Sequence, residues 1–133
     1  MSYDLPPYAA RLGVIVERDE ESGGPLVRMP PGPHLLGRPD FLHGGAIAGL
    51  LEISAIVALF HALGREERPR VKPINVTIDF MRGGRIRDTF AAGTVTRIGT
   101  RVANVEAHAW QVDRARPIAA ARMNLLLARD GGL

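Results

Sequence analysis

Four residues near the middle of the chain have the types and spacing for chemistry: His43, Gly44, Gly45 and Glu52. They lie in FLHGGAIAGLLEISAIVALF, residues 41–60, where Glu52 is the one carboxylate in a long apolar run. Burying an unpaired charge costs roughly several kcal/mol unless it is paired or neutralised. A carboxylate kept there reads as a catalytic group, with a distant arginine partner as the structural alternative. His43 suits acid–base work near neutral pH, and it also reads as an orienting donor or a capping residue. A helix starting at the two glycines leaves backbone N–H groups unsatisfied and carries roughly half a positive charge there. With no side chains at Gly44 and Gly45, a carbonyl oxygen becoming an oxyanion can approach those N–H groups. Read alone, His-Gly-Gly is also a tight turn into a helix.

These groups need elements to hold them. The apolar run predicts a helix from about Gly44 to about Leu63, stopped by Gly64 with Pro69 beyond and a charged exit at Arg65–Arg68. On it, Gly45, Ala48, Gly49, Ala55 and Ile56 neighbour Glu52; most are small, which leaves space beside the carboxylate. One helix cannot bring His43 and Glu52 together, because nine residues rise roughly 13 Å. If the two cooperate, a second helix supplies one of them.

The remaining elements read as strands. Residues 11–18, RLGVIVER, alternate from Leu12 to Val16, and Leu26–Met29 forms a short second strand after the ESGGP turn. Residues 30–39 hold four prolines and read as loop. Val71–Met81 alternates with Ile74, Val76, Ile78 and Phe80 on one face, and Pro73 makes it an edge strand or places the proline near its start. Strands at about Thr89–Ile98, Arg101–Val112 and Pro117–Ala128 follow, joined by connections short enough for hairpins. A helix apolar nearly all round must be surrounded by protein, and a large antiparallel sheet wrapped round it meets that need.

The 133 residues predict one domain, residues 1–133, with about 1–10 as an N-terminal extension. Hydrophobic residues make up 46% and charged residues 23%, which reads as globular. There is no cysteine, so disulfides and thiolate metal sites are excluded. The N-terminus has no apolar stretch of a secretory signal, and with the missing cysteines this gives a cytoplasmic expectation. The apolar run is short for a membrane span and has a charge near its middle, so no membrane partner is expected. Net charge is +3, nearly all of it arginine, since Lys72 is the only lysine. That excess suits an anionic ligand. The arginines are scattered and aromatics are 5% of residues, so no nucleic-acid partner is expected. His34, His43, His61 and His108 lack ligand spacing, so no metal is expected. A G-x-S-x-G elbow is also absent.

LHGGAIAGLLE (42–52) resembles the His-Gly-Gly motif of hotdog-fold thioesterases of the phenylacetate-degradation (PaaI) type, whose helix acid lies nine residues after the histidine. INVTIDFMRGG (74–84) and TRIGTR (96–101) resemble that family's strand with a basic exit and its Arg-x-Gly-x-Arg hairpin. The likeness runs from about Leu12 to Leu127. It implies an α+β hotdog fold, a long central helix wrapped by a curved antiparallel sheet. It also implies a homodimer joined through the strand after the helix, a homotetramer beyond that, and active sites shared between subunits.

By the same resemblance the chain hydrolyses an acyl-CoA. The Gly45 N–H, with Gly44, polarises the carbonyl; Glu52 acts as general base or nucleophile; His43 shapes the helix start. Arg82, Arg97, Gly99 and Arg101 become candidates for holding the CoA phosphates, since guanidinium forks suit phosphate. No cofactor is implied, because CoA is part of the substrate. The chain departs from the family at Gly37, where relatives carry Asn or Gln, and at Pro73 and Ile56, where some carry Ser or Thr. Ser54, Asn75 and Thr77 are the substitutes at hand. Alternatives of other kinds are a hotdog enoyl-CoA hydratase or dehydratase, whose His-Phe-Pro segment is missing here, and a non-catalytic acyl-CoA-binding module.

Overall fold

A computed structural model describes residues 3–64 and 69–128. Its central element is a helix, α2 (Gly44–Leu63), capped at its end by Gly64 with φ 76°. Two glycines before a long, largely apolar run, and a left-handed glycine after it, explain both ends. The segment Arg65–Arg68, read as the helix's charged exit, lies outside the described residues.

Around α2 wraps a six-stranded antiparallel sheet in the order β1-β2-β6-β7-β8-β5. Its strands are β1 (Ile15–Arg18), β2 (Pro25–Met29), β5 (Arg70–Phe80), β6 (Thr89–Ile98), β7 (Val102–Trp110) and β8 (Ala119–Ala128). A short ladder of β3 (Leu36–Arg38) and β4 (Phe41–Leu42) sits beside the helix start. This is the long helix wrapped by an antiparallel sheet that the resemblance implies. α2 is long and apolar enough to cross a membrane, but it lies packed against the sheet, with Leu50, Leu51 and Leu59 fully buried. Burying each such side chain contributes about 2 kcal/mol. Only the stripe Gly44, Ala48, Glu52, Ile56, Phe60 and Leu63 stays half-open along the helix. Glu52 stands in the middle of that stripe.

Helix and sheet approach closely at Gly93 of β6. A Cβ there would stand 2.7 Å from Ala58 Cβ and 3.0 Å from the Ser54 carbonyl oxygen. No side chain fits at that position without parting the two layers.

Three local expectations are corrected. Leu12 does not begin a strand: it ends a short helix, α1 (Pro7–Leu12), and the strand starts at Ile15. Pro7 fits the first helical turn, Gly13 caps it in the left-handed region, and Ala9 and Leu12 are buried in the core. Within the proline-rich stretch, Pro33–Leu35 forms a turn of 3-10 helix and Leu36–Arg38 pairs with β4. On β5 the register shifts between Pro73 and Asn75, which sets Ile74 out of step and exposed while Val76 and Ile78 are half-buried; Phe80, at the strand's end, is exposed as well. A proline cannot donate to the ladder, which explains the slip. β5 pairs with β8 alone and forms an edge of the sheet, as Pro73 suggested.

Candidate functional site

His43 is the cap of α2. Its backbone is extended (φ −67°, ψ 136°) and its Nδ1 accepts the Gly45 N–H at 2.8 Å. Accepting at Nδ1 requires the neutral ring with its proton on Nε2. The His43 carbonyl takes the N–H groups of Ala46 and Ile47, at 3.0 and 3.2 Å. Among the described residues this leaves the Gly44 N–H without an acceptor. The His43 N–H donates to the Leu35 carbonyl at 2.7 Å, and the Leu42 N–H to that of Gly84 at 2.9 Å, so two loops fix the helix start. A Cβ at Gly37 would lie 3.0 Å from His43 Cα and 3.2 Å from its Cδ2. A side chain at position 37 would therefore need His43 to give by a few tenths of an ångström.

Glu52 is half-buried on the open stripe. Among the described residues no hydrogen bond or ion pair reaches its carboxylate. Among the described residues no arginine supports the distant-partner alternative. Three residues earlier on the same face, Gly49 makes room for the N-terminal helix. A Cβ at Gly49 would lie 2.8 Å from Tyr8 Cε2, 3.0 Å from Leu12 Cδ1 and 3.5 Å from the Tyr8 hydroxyl. Tyr8 thus reaches the candidate site, which the sequence reading missed by treating residues 1–10 as an extension. The signal was present in Pro7 and Gly13 as helix boundaries.

The substitute polar groups divide. Ser54 is buried and its hydroxyl donates to the Leu51 carbonyl at 2.9 Å. Asn75 Oδ1 accepts from Asn124 Nδ2 at 2.8 Å, in a ladder that continues to Asn104. Thr77 stays exposed on the edge strand.

The four phosphate candidates fall into two places. Arg82 follows β5 near the helix start, where its Nη1 donates to the Pro117 carbonyl at 2.6 Å. It lines a hollow of about 460 Å³ with Arg116 and Ile118. Beside it, Arg38 and Arg85 stack on the Phe41 ring at 3.9 and 4.3 Å, a cationic pair that spacing in the sequence does not reveal. Arg97, Gly99 and Arg101 form the β6–β7 hairpin. There the Gly99 N–H donates to the Val102 carbonyl oxygen at 2.8 Å, and a Cβ at Gly99 would press that oxygen at 2.9 Å. Phe80 pairs with Ala119 at one end of β8, and Lys72 with Leu126 at the other, where Val102 also pairs. Seven steps along β8, from Ala119 to Leu126, make that separation roughly 23 Å. Within one chain, Arg82 and the hairpin arginines do not meet.

A second polar cluster lies at the loop between β1 and β2. Arg114 Nη1 and Nη2 each donate to the buried Asp19 carboxylate at 2.9 Å, and the Ser22 hydroxyl and Glu21 N–H add to it. The Arg114 hydrogen bonds, against the opposing effect of burial, hold the Asp19 pKa down to about 2. The same guanidinium lies 4.3 Å over the Trp110 ring, which stacks on His108. Burial, and then the nearby Arg114 charge, lower the His108 pKa. Among the described residues no group of three or more His, Asp or Glu could hold a metal.

Residues 40–118 match the sequence profile of the thioesterase superfamily. Among solved structures, a protein from Chromobacterium violaceum is 35% identical, over 93% of this chain and 85% of its own, with a TM-score of 0.71. A phenylacetic acid degradation-related protein from Ralstonia eutropha is 19% identical, over 94% and 92%, at a TM-score of 0.75. A Bacillus halodurans protein solved with CoA is 19% identical, over 92% and 79%, at 0.78. No curated protein matches the chain.

Proposed function

The chain belongs to the thioesterase superfamily and has its hotdog fold, and from that premise we propose that it is an acyl-CoA thioesterase of the phenylacetate-degradation type. It hydrolyses a thioester to a carboxylate and free CoA. The observation that carries this reading is the Glu52 carboxylate, half-buried on an apolar helix with no partner among the described residues. A half-buried acid left without a partner on a helix face is a candidate for chemistry, and a bound substrate and water give it a use.

The reaction needs two groups. An N–H at the start of α2 binds the carbonyl oxygen and stabilises the negative charge that develops on it. Gly44 offers a free N–H, and Gly45 offers one that His43 now holds. As general base, Glu52 takes a proton from water while the water oxygen bonds to the carbonyl carbon. The C–S bond then breaks, the thiolate leaves, and it takes the proton back. As nucleophile, Glu52 would instead form an acyl anhydride that water hydrolyses in a second step.

The two groups come from different subunits. Gly44 and Glu52 are separated by about 12 Å of helix rise within one chain. β5 offers an edge of eleven residues, with Ile74 and Phe80 exposed beside it. Such an edge is a template for a second strand, and a two-fold copy of β5 is the simplest one. Antiparallel pairing exchanges the ends of the sheet. It brings Arg82 of one chain toward Arg97 and Arg101 of the partner subunit, a divided set of cations for one CoA. Association of dimers into a tetramer belongs to the same reading.

Thiol release from a panel of acyl-CoAs tests the activity. Thiol release that Glu52→Gln lowers about 10²- to 10⁴-fold, to a measurable residual rate, with melting temperature and size in solution unchanged, is the expected result. Enoyl-CoA hydration, or binding without turnover, would replace this reading.

A further inference from the structure

We propose that Tyr8 is a water-positioning residue of the site, its phenol oxygen holding the attacking water against Glu52 of the same chain; this rests on the thioesterase reading. Gly49 of α2 faces the Tyr8 ring. Any residue with a Cβ there would press the Tyr8 ring at 2.8 Å, so the helix face is shaped to receive that ring. α1 is anchored by Ala9 and Leu12, which are 2% and 4% exposed. Tyr8 itself remains 51% exposed. The ring is therefore held at its edge against α2 while its remaining surface is open to a ligand.

Glu52 lies one turn beyond Gly49 on the same face. Helical side chains lean toward the helix N-terminus, so the Glu52 carboxylate inclines over the turn that Gly49 occupies. The Tyr8 hydroxyl is 3.5 Å from the Cβ position of Gly49, which brings it to that same turn. Among the described residues neither group has a hydrogen-bond partner. They do not bond to each other, and a water between them can use both. Water donates one hydrogen to the carboxylate and the other to the phenol oxygen. Its lone pairs then remain free for the carbonyl carbon.

This also accounts for the polar residues missing from the helix and edge strand. Ser54 is committed to a helix carbonyl and Asn75 to its ladder, while Ile56 and Pro73 have no hydroxyl. The N-terminal helix supplies the group from another direction.

The test is steady-state hydrolysis of the best acyl-CoA substrate by wild type, Tyr8→Phe, Glu52→Gln and the double variant. Tyr8→Phe removes one oxygen from a half-exposed ring and leaves its contact with Gly49. It should lower kcat about tenfold with KM within about twofold, the signature of a contact made to the reacting water. In the Glu52→Gln background the same change should have no further effect, because both groups act on one water. Gly49→Ala, which pushes the ring away, should reproduce the loss in kcat. Wild-type kcat in Tyr8→Phe, or equal losses in both backgrounds, overturns the proposal and leaves the thioesterase reading standing. A wild-type protein that hydrolyses no thioester overturns both.

Discussion

Asp19 and Glu52 are both acids set into apolar surroundings, and the protein treats them in opposite ways. Asp19 receives two bonds from Arg114, one from Ser22 and one from a backbone N–H. Its charge is fully matched, and the cluster ties the β1–β2 loop to the connection after β7. Glu52 receives nothing within the described chain, and the nearby Tyr8 hydroxyl and Gly44 N–H are likewise without partners. Folding therefore satisfies one polar region completely and leaves the other open. The open groups share a helix face beside an unpaired sheet edge, where substrate and a second subunit can complete them.

That contrast can be broken from either side. The largest expected effect falls on the open region. Gly44→Pro removes the free N–H while respecting the helix, because proline suits the first helical position and His43 already has the extended backbone that a following proline requires. kcat should fall by about 10²-fold or more, the scale of losing one oxyanion donor. Thermal melting should stay close to wild type. Unchanged kcat would transfer the role to the Gly45 N–H.

On the matched side the effects reverse. Asp19→Asn should cost about 2 kcal/mol in denaturant melts, with kcat unaltered in the surviving folded enzyme. The pH dependence follows from the same group. Its folded pKa, about 2, lies below the ordinary 3.8, so its stabilisation is present above about pH 4 and is lost as pH falls toward 2. Wild type should lose melting temperature across that window, and Asp19→Asn should lose less. An equal decline in both proteins would remove Asp19 as the cause.

His43→Ala should have the smallest effect. It releases the Gly45 N–H and removes a cap, at a cost of about 1 kcal/mol in stability. kcat should change less than in Gly44→Pro. A loss as large as that of Glu52→Gln would instead make the ring a participant in the chemistry.

What the sequence revealed depended on how local each signal was. α2 was legible to its ends because glycines bracket a long, largely apolar run. β6 was legible because its residues are strand-like and a short hairpin connection ends it. α1 was not: its six residues are too few for a periodic pattern, and the alternation of Leu12, Val14 and Val16 runs across its end. Packing of Ala9 and Leu12 into the core decided that segment. The unusual residues of the site were visible as types and spacings, but their partners were not. That Nδ1 of His43 takes the Gly45 N–H depends on a rotamer, and that Tyr8 lies on Gly49 depends on tertiary docking. The roughly 23 Å of strand that keeps Arg82 and the hairpin arginines at opposite ends of β8 is likewise a property of strand register, which the motifs do not carry.

The central claim is that each site takes its N–H donor from one subunit and its acid from the other. Co-expressing Gly44→Pro and Glu52→Gln chains under two different tags, and purifying the mixed dimer, tests it directly. Each parent homodimer should be nearly inactive. The mixed dimer pairs an intact helix start with an intact Glu52 at one of its two sites, so it should recover about half the wild-type rate of thiol release. A mixed dimer as inactive as its parents would contradict the shared site.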